Sequence, residues 1–139
     1  MNYKIVTKFI KDVSFEISDA KSYFLLEKNI QNYNLVCNIN SKKIKESIVQ
    51  VDVNVRLARK KEGGSTENFH VSVEHTSLIQ VDKKLEKEEL EKIILIKVPT
   101  EVFTDITSTI VFLFQKSGFN KINFNEKIDF SKLYDDRKK

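Results

Sequence analysis

Val49-Gln50-Val51-Asp52-Val53-Asn54-Val55-Arg56-Leu57 is the stretch that decides the fold. Valine or leucine at every odd position and a polar residue at every even one is the period of a β-strand, whose side chains alternate between two faces. The odd row is made for a core and the even row for solvent. Glu62-Gly63-Gly64-Ser65 follows, where adjacent glycines accept positive φ, and Phe69, Val71 and Val73 then resume the alternation. Two long strands joined this closely are antiparallel. Upstream, Val13, Phe15 and Ile17 alternate with Asp12, Ser14, Glu16 and Ser18, which gives a first strand with an acidic outer face. At about 3.3 Å per residue, Asp12 and Glu16 stand roughly 13 Å apart on that face. A second strand is expected around Leu35 to Ile39. Between these two, Ala20 to Tyr33 reads as a long irregular connection carrying Tyr23, Phe24, Leu25, Leu26 and Ile30, unusually apolar for a loop.

Helices follow the strands, which occupy about residues 5–81. Leu85, Leu90, Ile93, Ile94 and Ile96 recur at near-helical spacing and predict one helix from Lys83 to Lys97, ended by Pro99, which then opens the next. From Thr100 to Lys116, Phe103, Ile106, Ile110 and Phe114 share one face, although so many β-branched residues leave packing to hold the helix. Val102, Val111 and Leu113 on that helix would be exposed in a monomer, so they are the expected subunit interface. Gly118 caps the helix, and Ser131 to Lys138 is a short last one, the helices covering about 83–138. The fold class is α+β: a four-stranded antiparallel sheet with helices packed on one face, in a single domain spanning 1–139.

Composition narrows the function. The net charge of +4 arises from 24 basic and 20 acidic residues, and it raises the question of nucleic acid. However, 21 lysines accompany 11 asparagines and 15 isoleucines, the enrichment that AT-rich coding produces, and the lysines are scattered over solvated faces. No apolar run is long enough to span a membrane, and Met1-Asn2-Tyr3-Lys4 leads into no secretory hydrophobic segment, so a cytoplasmic location without membrane insertion is expected. Lone Cys37 fits a reducing compartment and shares a strand side with Leu35 and Ile39, as a core residue does.

Catalytic chemistry is not legible. His70 and His75, five apart on a strand, face opposite sides and cannot share a metal, and each is expected at the surface or rim. Three glycines build no phosphate-cradling loop, so no nucleotide cofactor and no ATP-driven mechanism are expected. Neither histidine has a triad partner, and the chain reads as no enzyme.

The stretch Lys11-Asp12-Val13-Ser14-Phe15-Glu16, followed in order by Val51 to Leu57, Leu78-Ile79-Gln80-Val81, Val98-Pro99-Thr100, Phe119-Asn120-Lys121-Ile122-Asn123-Phe124 and Ile128-Asp129-Phe130, resembles the SecB family of bacterial protein-export chaperones. The resemblance runs from about Thr7 to Tyr134. It implies an ATP-independent holdase that keeps unfolded preproteins export-competent in apolar grooves and delivers them to SecA. It also implies a homotetramer, a dimer of dimers. Carried over position by position, Phe24, Leu26, Ile30 and Tyr33 line the groove, and Asp12, Glu16 and Glu74 receive SecA. Three departures stand out: Ile30 lies near a common family tryptophan, Ser72 replaces a family acidic residue, and the pI is about 9.0 where relatives are acidic. Two other readings remain, a SecB-like chaperone for non-export clients such as a toxin–antitoxin partner, and a small basic nucleic-acid-binding module. Against the latter, Gln50, Asp52, Asn54 and Arg56 offer no stacking platform, so no nucleic-acid partner is expected.

Overall fold

The computed structural model of the chain describes residues 2–59, 69–119 and 128–138. The predicted Glu62–Ser65 turn and most of the Phe119–Phe124 motif lie outside them. Strand β1 (Tyr3–Ile17) leads to helix α1 (Ala20–Asn29), then to β2 (Tyr33–Lys45), β3 (Ile48–Arg59) and β4 (Phe69–Val81). Helix α2 (Lys87–Lys92), a wide π-type turn at Ile93–Lys97, α3 (Val98–Lys116) and α4 (Phe130–Lys138) complete the order. The sheet is antiparallel throughout, in spatial order β1-β4-β3-β2, so β1 and β2 are its two edges.

The valine row of β3 behaves as its spacing predicts. Val51, Val53 and Val55 have no exposed surface, and Val73 and Ile79 of β4 stand beside them, as completely buried. Over this floor lies α3, with Val98, Val102, Ile106, Ile110 and Phe114 turned inward. Phe114 meets Phe15 of β1 edge-on at 5.1 Å between centroids and Phe119 at 5.0 Å, an arrangement that gains about 0.5–1.5 kcal/mol per pair beyond simple burial. Two bonds tie α3 to β1: Tyr3 Oη donates to Glu101 at 3.3 Å, and Lys8 pairs with Asp105 at 3.0 Å.

Four sequence expectations are corrected. Ala20–Asn29 is a helix, not an irregular connection: Asp19 caps it by accepting from the Ser22 amide at 2.7 Å, and Ser22 and Leu26, one turn apart, are buried. Four consecutive apolar residues, Tyr23 to Leu26, hide that period. The helix expected from Lys83 starts at Lys87, and it does not stop before Pro99. Lys97 and Val98 keep right-handed helical backbone (φ −69°, ψ −50° and φ −65°, ψ −49°), so the π-type turn runs directly into α3. A proline inside a helix lacks a donor and crowds the carbonyl four residues back; a locally widened turn relieves both, and Thr100 Oγ1 donates to the Ile96 carbonyl at 2.6 Å.

Third, Val102 is completely buried against the sheet, because it lies on the inward stripe with Ile106; it is unavailable to a second subunit. Fourth, His75 is not at the rim: it is 5% exposed on the helix-facing side of β4, beside the Lys8–Asp105 pair, whereas His70 is exposed. Burial pushes the His75 imidazole below the ordinary histidine range, an effect that Asp105 opposes and Lys8 reinforces. The ring is therefore neutral at pH 7. Among the described residues no helix is long and apolar enough to cross a membrane.

Candidate functional site

Strand order creates a cleft among the described residues. Because β2 is an edge, among the described residues only one of its sides is hydrogen-bonded, to β3, and the other faces a channel. The far wall is the π-type turn, through Ile94 and Leu95, together with α4, through Phe130, Leu133, Tyr134 and Arg137. Two adjoining depressions of about 450 Å³ and about 540 Å³ run along it, sharing Ile39, Asn40, Leu95, Tyr134 and Arg137. Helix α4 is held down by Phe130 and Tyr134, one turn apart and both buried. Phe130 packs edge-on against Phe103 at 5.8 Å, and Tyr134 Oη donates to Glu91 at 3.4 Å. Leu133, between these anchors, is left 52% exposed at the lip of the cleft.

Cys37 also lines the channel and is half-buried. Desolvation pushes its thiol up to about 11, so it is protonated at neutral pH and is no nucleophile. Among the described residues no group of His, Cys, Asp and Glu is arranged to hold a metal ion.

None of Phe24, Leu26, Ile30 and Tyr33 lines this cleft. Leu26 is 0% exposed, and Tyr33 is buried with its ring edge-on to Phe69 at 5.1 Å, so both belong to the core of the single chain. Ile30 is half-buried, and Phe24, at 65% exposure, is the one of the four that stands in solvent. Its ring meets Tyr23 at 5.6 Å, and Tyr23 in turn meets Phe119 at 4.9 Å. Gly118 closes that seam: its φ of +95° needs glycine, and a Cβ there would stand 2.7 Å from Tyr23 Oη.

The acidic residues do share a face, by way of an irregularity. β1 contains two bulges, with Val6 and Lys11 as the extra residues, so Phe9, Asp12 and Glu16 all point to the side away from α3. Asp12 lies directly opposite Glu74 in the ladder, and Glu16 opposite His70. Asp12 and Glu16 are exposed, while Glu74 is half-buried and pairs with Lys11 at 3.3 Å. Ser72, nearly buried, lies within 3.4 Å of His70 Nε2.

Apolar surface left uncovered concentrates elsewhere than predicted. Along the free edge of β1, Val6, Phe9, Ile10 and Val13 are each about half exposed. On α3, Val111 and Leu113 are half-buried, and their neighbour Phe112 is exposed, with the Lys116 ammonium 5.6 Å from its ring centre.

The profile of the family described as preprotein translocase subunit SecB matches residues 1–139. The chain belongs to the SecB family. The protein-export protein SecB of Pelagibacter ubique is 38% identical over 137 residues, covering 98% of this chain and 96% of that relative. That of Anaplasma phagocytophilum is 24% identical over 139 residues, covering 92% and 87%. In three dimensions the chain is similar to the SecB-like chaperone of Mycobacterium tuberculosis, solved in complex with a peptide of the HigA1 antitoxin, with a TM-score of 0.67 over 91% of both chains at 12% identity. That likeness establishes the shared SecB-type fold, and family membership gives the role, a chaperone in protein export.

Proposed function

We propose that this SecB protein is an ATP-independent holdase of the cytoplasm. It binds unfolded preproteins in extended form along the β2–α4 cleft and passes them to SecA. The observation that carries the reading is the conjunction of an open sheet edge with a channel beside it, in which Ile39, Ile94, Leu95 and Leu133 offer apolar contact among polar neighbours Asn38, Asn40, Glu91 and Arg137. The edge of β2 supplies main-chain donors and acceptors to any sequence, and the channel takes alternate apolar side chains. Binding the unfolded state and not the native one slows both folding and aggregation by mass action, without fuel.

Leu133 supplies the test. Its exposure means that Leu133→Ser costs the fold little, while burying half a leucine against a client contributes on the order of 1 kcal/mol. In an aggregation assay with a reduced, slow-folding preprotein and no nucleotide, the wild type suppresses light scattering, and Leu133→Ser needs about five- to tenfold more protein for the same effect. Equal aggregation with and without the wild type contradicts the reading.

Assembly as a homotetramer fits the uncovered surfaces. Edge-to-edge pairing of β1 would bury Val6, Phe9, Ile10 and Val13 and satisfy the free backbone groups, and Phe112, Val111 and Leu113 of α3 would join such dimers. For SecA, Asp12, Glu16 and Glu74 form the docking face, an electrostatic contact for a basic segment that weakens as salt rises.

A further inference from the structure

Lys11 is the extra residue of the second bulge in β1, inserted between Ile10, which pairs with His75, and Asp12, which pairs with Glu74. A bulged residue leaves the strict alternation, and its side chain can be re-aimed. Here it turns across the outer face of the sheet. Its ammonium lies 3.3 Å from Glu74 Oε2 on β4 and 3.8 Å from Asp52 Oδ2 on β3. Those carboxylates are only 23% and 14% exposed, so solvent screens these pairs less than it screens a fully exposed pair. Asp52 is further fixed by Thr76 Oγ1, which donates at 2.6 Å, and by Gln50 Nε2 at 3.1 Å. Asp12, directly across the ladder from Glu74, has no ion pair among the described residues.

We propose that Lys11 is a built-in competitor for the cationic partner of this face, holding Glu74 and Asp52 and thereby setting how tightly the sheet binds SecA. The proposal rests on the reading that Asp12, Glu16 and Glu74 receive SecA. A partner lysine or arginine that approaches Asp12 either displaces Lys11 from Glu74 or meets it as a like charge. Each route lowers affinity. With Lys11 removed, Asp12 and Glu74 become adjacent, uncompensated carboxylates.

Titration calorimetry with the cognate SecA tests this on the protein as it stands. Lys11→Gln should bind about three- to tenfold more tightly than the wild type and with a steeper loss on adding salt. Lys11→Arg, which keeps the charge, should match the wild type. Lys4→Gln controls for bulk charge, because Lys4 lies on the same face of the same strand and makes no ion pair among the described residues; it should change affinity less than about twofold. The doubly reversed Asp12→Lys, Glu16→Lys protein should not bind. A Lys11→Gln affinity no higher than the wild type, or matched by Lys4→Gln, overturns the role of Lys11 while the docking face stands. Undiminished binding by the doubly reversed protein, or none by wild type and Lys11→Gln alike, overturns the docking face and the Lys11 proposal with it.

Discussion

Placing lysine at both Ile10 and Val13 should break the proposed tetramer of 16.2 kDa chains into folded species no larger than a dimer joined through α3, as read by light scattering at micromolar concentration. Both residues lie on the edge strand β1, both are about half exposed, and both face the same side of the sheet, since their partners His75 and Val73 are two apart on β4. If two copies of β1 pair about a two-fold axis near these positions, the introduced lysines of one copy approach those of the other and are desolvated with them. Like charges across a ladder are unfavourable, and inward-facing lysine is the device by which natural sheets protect their edges. Apolar burial lost at two positions in each of two chains amounts to several kcal/mol, a shift of two or more decades in association. The fold should survive, because neither side chain belongs to the closed core under α3. A tetramer that persists in the double variant, or a wild type that is monomeric, contradicts assembly through β1.

Leu26→Ser should cost about 3–5 kcal/mol of stability, whereas Phe24→Ser, two residues away, should change it by less than about 0.5 kcal/mol. Leu26 has no exposed surface and sits one turn after buried Ser22 on the core side of α1. Serine there leaves a cavity and places a hydroxyl in it without a prepared partner, two penalties that add. Phe24 stands 65% exposed and loses one edge contact with Tyr23. Urea unfolding followed by circular dichroism separates the two. An unchanged midpoint for Leu26→Ser would mean that α1 does not close the core.

The contrast between these neighbours shows where sequence reading reached its limit. Val49 to Leu57 announces a strand, its buried row and its solvent row, because a period of two is a local property and the structure places every odd residue inside. Phe103, Ile106, Ile110 and Phe114 of the inward stripe of α3 were legible for the same reason, whereas Val102, one helical turn before Ile106 and completely buried, was read to the wrong side. Tyr23 to Leu26, by contrast, are four apolar residues in a row, and no period can be read from four. The Asp19 cap, with Ser22 three residues on, was the one local sign that a helix begins there.

The cleft was illegible for a different cause. It exists because β2 ends up at the sheet edge beside α4, and strand order is set by pairings between residues far apart in the chain. Leu133, Tyr134 and Ile39 carry no mark of this in their own neighbourhoods. The bulges of β1 are equally hidden: nothing local distinguishes Lys11 as an inserted residue, yet the insertion puts Phe9 on the face of Asp12 and carries the lysine to Glu74. The acidic outer face itself was readable, and it also weighs against the nucleic-acid reading, since the surface a stacking base would need presents Asp12, Glu16, Asp52 and Glu74.

The central claim is that an extended client adds itself to the free edge of β2, and amide hydrogen exchange measures it most directly. With a saturating amount of a reduced, unfolded preprotein, the β2 amides between Tyr33 and Lys45 that point away from β3 should exchange at least about tenfold more slowly than in the free protein. Client bound at saturation with exchange along β2 unchanged would contradict the account.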